Sequence, residues 1–164
     1  DLPARTVPTG HTLFVTSAAL SPDGKSLVTA SWDATIKIWN SQTGALVKTV
    51  ASKNGRIYSV AYAQSGKQVA FGNHDGTAAL IDAETGEITK TLAAHRTAVS
   101  AMAFTHDDRR LFTGSADKTV AMVDVQSGAS PAANNPTTDR PGPVPPTVWP
   151  AAPSGGSPET RRRV

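Results

Sequence analysis

The sequence has no cysteine at all, which excludes a disulfide framework and thiolate chemistry. No apolar run approaches the roughly 18–20 residues of a membrane-spanning helix, and no signal-peptide pattern is visible. The four histidines, His11, His74, His95 and His106, show no metal-ligand spacing. No glycine-rich loop leads from a strand into a helix, so a phosphate cradle has no basis. Charge of one sign is also scarce. Of the formal net charge of +3, two units fall from residue 129 onward, where Arg140, Arg161, Arg162 and Arg163 stand against Asp139 and Glu159. The rest of the chain lacks the basic stripe that nucleic-acid binding requires. These absences leave no expected cofactor, metal, nucleic acid or membrane. They do not fix a compartment, the cytoplasm being slightly favoured.

What the sequence does hold is a repeat. Asp33 recurs as Asp75 and Asp117 at steps of 42 residues. The same step relates Thr35, Thr77 and Thr119, then Gly44, Gly86 and Gly128, and the hydrophobic Leu20, Tyr62 and Phe104. Self-similarity at such a period marks a repeat architecture. Each unit divides into four short strands separated by turn residues. In unit two these are 57–63, 68–73, 77–82 and 87–92, parted by QSGK, HDG and AETG. No segment offers an unbroken stripe at helical spacing. The first strand of each unit (VTSAAL, IYSVAYA, VSAMAF) is rich in small residues, which suits a crowded innermost position. The pattern predicts an all-β fold, three four-stranded antiparallel blades of an incomplete β-propeller over residues 1–128. Residues 129–164, rich in Pro, Ala, Ser, Thr and Gly, are expected to form a disordered tail.

The 42-residue period, Gly10-His11 ahead of the first strand, an Asp in the second tight turn and Trp39-Asn40 closing the third strand together resemble WD40 repeats. The SPDGK turn resembles that of many bacterial members. The resemblance implies that Trp39-Asn40 is the name-giving dipeptide, and that the more conspicuous Trp32-Asp33 is not. It also implies a buried hydrogen-bond relay of His11, Thr29, Asp33 and Trp39 in unit one. Unit three keeps His95, Thr113 and Asp117 but has Val123 for the tryptophan. Unit two keeps only Asp75, with Lys53, Phe71 and Ile81 at the other positions, and its blade is expected to rely on apolar contacts. A His/Thr/Asp grouping imitates a hydrolytic triad, but in this family it is structural, so no catalytic residue is expected.

Three blades do not close a propeller of the usual four to eight. Residues 4–8 align with the outer strands at 46–50 and 88–92 and are expected to be the outer strand of a preceding blade. Unit three runs instead into SPAAN at 130–134, where proline disfavours a strand. The chain is therefore expected to be the C-terminal part of a larger propeller. The alternatives are one protomer of a ring built from several chains, or a chain whose residues 4–8 clasp unit three.

The resemblance places partner binding on the face that carries the relay histidines and turn aspartates. Candidate contacts there are Phe14 and Trp32, then Lys53, Arg56 and His74, then Arg96 and Lys118, because an exposed Trp beside Arg and Lys has interface hot-spot composition. Trp32 faces His74 and Ala116 at the same phase. It has two open readings, a partner contact or packing on the next blade's loop. In the tail, Arg140, Pro143 and Pro146 fit the R-x-x-P-x-x-P pattern of polyproline-II ligands, which a proline-rich spacer produces readily by accident. The expected function is a non-catalytic scaffold that binds a protein or peptide and needs further blades to close its ring. Two alternatives remain: the recognition or regulatory domain of a larger enzyme, and a small self-assembling propeller protomer.

Overall fold

The computed structural model describes residues 9–129. The expected outer strand at 4–8, the SPAAN segment and the proline-rich motif lie outside them. The described chain holds eleven strands in three antiparallel sheets. The first sheet takes β1 (Val15–Leu20), β2 (Ser26–Ser31), β3 (Thr35–Asn40) and β4 (Leu46–Ala51) in chain order. The second takes β5 (Ile57–Tyr62), β6 (Gln68–Asn73), β7 (Thr77–Asp82) and β8 (Ile88–Ala93). The third takes β9 (Val99–Phe104), β10 (Arg110–Ser115) and β11 (Val120–Asp124). The third sheet agrees with the reading that unit three stops after its third strand, ahead of SPAAN. Among the described residues it has three, and the chain leaves β11 through a turn closed by Asp124 N–H donating to the Ala129 carbonyl at 2.9 Å.

Local chemistry explains why the units repeat. Between the second and third strands of each blade, the turn aspartate accepts the N–H of the threonine two residues on: Asp33 from Thr35, Asp75 from Thr77 and Asp117 from Thr119. This side-chain cap holds the intervening residue left-handed, at φ 63° for Ala34, 89° for Gly76 and 71° for Lys118. Only Gly76 is sterically compelled, since a Cβ there would overlap the His95 carbonyl. Each innermost strand also bulges near its start, where Thr16, Tyr58 and Ser100 fall between paired residues. A bulge re-aims the side chain it carries, which matters for Tyr58 below.

The innermost strands β1, β5 and β9 carry the most extensive contacts between neighbouring sheets. Two apolar layers fill the spaces between blades. Val28, Ile36 and Ile38 of blade one meet Val60, Tyr62, Val69, Phe71 and Ile81 of blade two. Ala70, Ala78 and Leu80 of blade two meet Leu111 and Val123 of blade three, flanked by Met102 and Phe104. Full burial of a side chain such as Phe71 or Ile81 contributes about 2 kcal/mol. Polar latches add to this. The Lys48 amine donates to the Glu84 and Thr85 carbonyls at 2.8 and 2.5 Å, and Lys90 repeats the move on Val125 and Gln126. The Lys48 stem lies so closely on Gly86 that a Cβ there would press into it, and the Lys90 stem lies in ordinary contact with Gly128.

Candidate functional site

The loops before the first strands and the tight turns after the second strands lie at one end of the blades. On this face His11 is almost wholly buried and bridges two partners: Nδ1 lies 2.9 Å from Asp33 Oδ2, and Nε2 lies 2.9 Å from Thr29 Oγ1. Trp39 Nε1 donates to the same Thr29 oxygen at 3.0 Å. One proton assignment satisfies every member. The indole donates to Thr29, Thr29 donates to His11 Nε2, and neutral His11 donates from Nδ1 to Asp33. Burial alone would raise the Asp33 carboxyl. The Thr35 hydroxyl, the Thr12 N–H and His11 overcome it and hold the group well below the usual carboxylate range. The order Thr–His–Asp imitates a hydrolase, but Thr29 is only 5% exposed and its oxygen is occupied by the indole. A substrate has no approach to it.

Blade three brings together His95, Thr113 and Asp117. His95 Nε2 lies 2.9 Å from Thr113 Oγ1, while Nδ1 lies 2.9 Å from Thr119 Oγ1 and 3.3 Å from Asp117. Val123 is buried where blade one has its tryptophan, so Thr113 receives no indole donor. The Asp117 carboxyl is held well below its ordinary value by the Thr119 hydroxyl, against burial, with help from the Arg96 and Thr119 N–H groups.

Blade two departs from the expectation that apolar contacts alone would support it. Asn73 is fully buried, with Oδ1 accepting from the Ser52 hydroxyl at 2.8 Å and Nδ2 donating to Thr77 Oγ1 at 2.9 Å. Asn54 Nδ2 donates to Asp75 Oδ2 at 2.7 Å. An amide network thus stands where the other blades place histidine, and it runs through Asn54 rather than the aligned Lys53. Buried polar groups must be paired, and Asn73, closing a strand that is apolar from Val69 to Gly72, was the legible sign.

The candidate contact residues separate into two groups. Phe14, Trp32, Arg56 and His74 are joined by Tyr58, which sequence reasoning missed. Phe14 meets Trp32 edge-on at 5.2 Å, Trp32 meets Tyr58 at 5.8 Å, and Tyr58 stacks on His74 at 5.7 Å. The Arg56 guanidinium sits 5.0 Å from the Trp32 ring centroid, within cation–π range. Trp32 is half-buried against blade two, and its Nε1 is a buried donor without an acceptor. Phe14, in contrast, is 70% exposed. Tyr58 could have been singled out as the one large side chain among the bulge positions 16, 58 and 100. Lys53, Arg96 and Lys118 are exposed on the same end.

Three blades of antiparallel strands arranged side by side about their first strands define a β-propeller architecture. Comparison with known proteins identifies the repeats. The WD40 family (WD domain, G-beta repeat) matches residues 3–40 and 86–124. The two matched stretches are WD40 repeats. The residues between the two matches hold the blade that lacks both the histidine and the tryptophan. An uncharacterized WD repeat-containing protein of Synechocystis is 43% identical over 32% of this chain and 16% of its own length. Ribosome assembly protein 4 of Saccharomyces cerevisiae is 44% identical over 25% of this chain and 8% of its own. The small ribosomal subunit protein RACK1 of Trypanosoma brucei brucei is 49% identical over 21% and 11%. The chain thus aligns with less than a fifth of the length of these relatives. A crystal structure of the RRP9 WD40 repeats superposes with a TM-score of 0.70 at 24% identity, over 74% of this chain and 38% of that one. That likeness establishes the fold.

Proposed function

We propose that this chain is a non-catalytic WD40 propeller segment that binds a protein or peptide partner on its loop face, centred on Phe14 and the Trp32–Arg56–Tyr58 cluster. The observation that carries the reading is the exposed Phe14 ring seated on a pre-packed aromatic and cationic cluster. Rigid aromatic and arginine anchors of this kind dominate interface energetics. The WD40 relatives named for ribosomal and ribosome-assembly proteins lend support, since such proteins work within macromolecular assemblies. The test is selection of random displayed peptides on the full chain. Peptides enriched on the native chain and lost on Phe14→Ala support the reading. Absence of enrichment, or binders indifferent to Phe14→Ala, refutes it.

A second need for partners is favoured by the flank of blade three. Val28, Ile36 and Ile38 recur at 42-residue steps as Ala70, Ala78 and Leu80, and again as Phe112, Val120 and Met122. The first two sets are buried against the following blade, whereas Val120 is 76% exposed and Phe112 is exposed as well. The periodic equivalence supports a further blade on this flank, from the same parent chain or another copy. Light scattering of the chain alone separates these sources. A discrete small oligomer points to copies, and a monomer points to covalently continuous blades.

A further inference from the structure

We infer that the partner segment recognised by the loop face is an acidic peptide, with an apolar side chain on Phe14 and a carboxylate on Arg56; this rests on the peptide-binding reading above. The first support is that the acids on this face are spent. Asp33, Asp75 and Asp117 each accept the hydroxyl and N–H of the threonine two residues on, together with a further donor from a neighbouring loop. The cations are not spent. Lys53, Arg56, Arg96 and Lys118 are exposed, and among the described residues none of them pairs with a carboxylate. The face therefore offers four exposed cations without carboxylate partners beside an aromatic anchor, while its three carboxylates stay charged but have their oxygens filled by local donors.

Nucleic acid fits the face less well, for a geometric reason. Single-stranded binders need open ring faces on which bases stack. Here Arg56 covers the Trp32 ring and Tyr58 is stacked on His74. Of the cluster's rings only Phe14 and His74 are exposed, and one face of His74 is taken by Tyr58. The chain's own C-terminal stretch is an unsuitable occupant by charge, since residues 130–164 carry four arginines against one aspartate and one glutamate.

The experiment is fluorescence anisotropy on the full chain with labelled peptides of equal length, each with one central phenylalanine flanked by Asp/Glu, by Lys or by Ser/Gly, beside a labelled oligo-dT strand. The acidic peptide is expected to bind roughly tenfold more tightly than the neutral one at low salt and to lose that margin as salt rises. Arg56→Gln, an exposed site whose folding is checked by circular dichroism, should bring the acidic peptide to the neutral level. Phe14→Ala should weaken both by roughly five- to thirtyfold. Equal binding of acidic and neutral peptides overturns the inference while leaving the peptide-binding reading intact. Tighter binding of the lysine peptide or of oligo-dT overturns it, as does indifference to Arg56→Gln. No binding of any peptide removes both readings.

Discussion

Replacing Thr29 by valine tests the relay of blade one most directly, because the side chain keeps its shape and loses only its oxygen. That oxygen accepts from Trp39 Nε1 at 3.0 Å, and its hydroxyl faces His11 Nε2 at 2.9 Å. The substitution orphans one buried donor and one buried acceptor together. Leaving a buried polar group unpaired costs about 1–3 kcal/mol, so Thr29→Val should destabilise by about 3 kcal/mol. Trp39→Phe removes the donor itself and should cost about 1–2 kcal/mol through the lost hydrogen bond and some packing. In the double variant the indole N–H no longer exists to be orphaned. The two costs should therefore fall short of additivity by about 1 kcal/mol. Thr113→Val in blade three supplies an internal control. Val123 gives Thr113 no indole donor, so only His95 loses a partner and the cost should be about half that of Thr29→Val. Urea unfolding followed by circular dichroism measures all four variants. A Thr29→Val cost below about 0.5 kcal/mol, or strict additivity with Trp39→Phe, would refute the shared-oxygen account.

Ala34 is a left-handed alanine at φ 63°, and Ala34→Gly should stabilise by about 1 kcal/mol, read as a rise in the unfolding midpoint. Gly76→Ala should do the opposite, by more than about 2 kcal/mol, because the methyl meets the His95 backbone in a left-handed turn. Gly86→Ala drives a Cβ into the Lys48 stem, so combining it with Lys48→Ala should cost less than the separate effects sum to, as a double-mutant cycle would show. Asp33, Asp75 and Asp117 are all held below their ordinary carboxylate range. The unfolded chain therefore takes up protons first, so stability contributed above about pH 4 is lost progressively as pH falls through the lowered native values. Asp33→Asn should flatten part of that acid slope in urea midpoints measured between about pH 5 and pH 3.

The strands were legible because the same turn chemistry is written three times. The repeat pattern placed β1, β6, β7 and β9 to the residue, since the Asx-type caps and turn glycines fix where pairing stops. What escaped was chemistry that does not repeat. Asn54 lies one residue beyond the position aligned with His11 and His95, so a register-bound reading arrived at Lys53 and missed the carboxylate's donor. Tyr58 was hidden because strand alternation assigns a facing to every residue, and the bulge at 57–59 breaks that alternation. Trp32 left two readings open from sequence. The structure seats it against Arg56 and Tyr58 of the next blade and leaves Phe14 as the ring turned outward.

The lysines that bridge successive blades grip backbone carbonyls rather than acidic side chains. Such a joint reads only the path of the receiving turn and its glycine, and is indifferent to the side chains around them. A unit carrying its own lysine and its own glycine therefore meets the polar part of the joint with any neighbour that carries the same two residues, leaving the apolar layer to be matched. Copying a 42-residue length of this gene in tandem would lay down blades whose polar joint already fits, before any selection on the apolar layer between them. The three divergent interiors described above, with histidine and tryptophan, with amides, and with histidine alone, are variations that such an interchangeable joint permits.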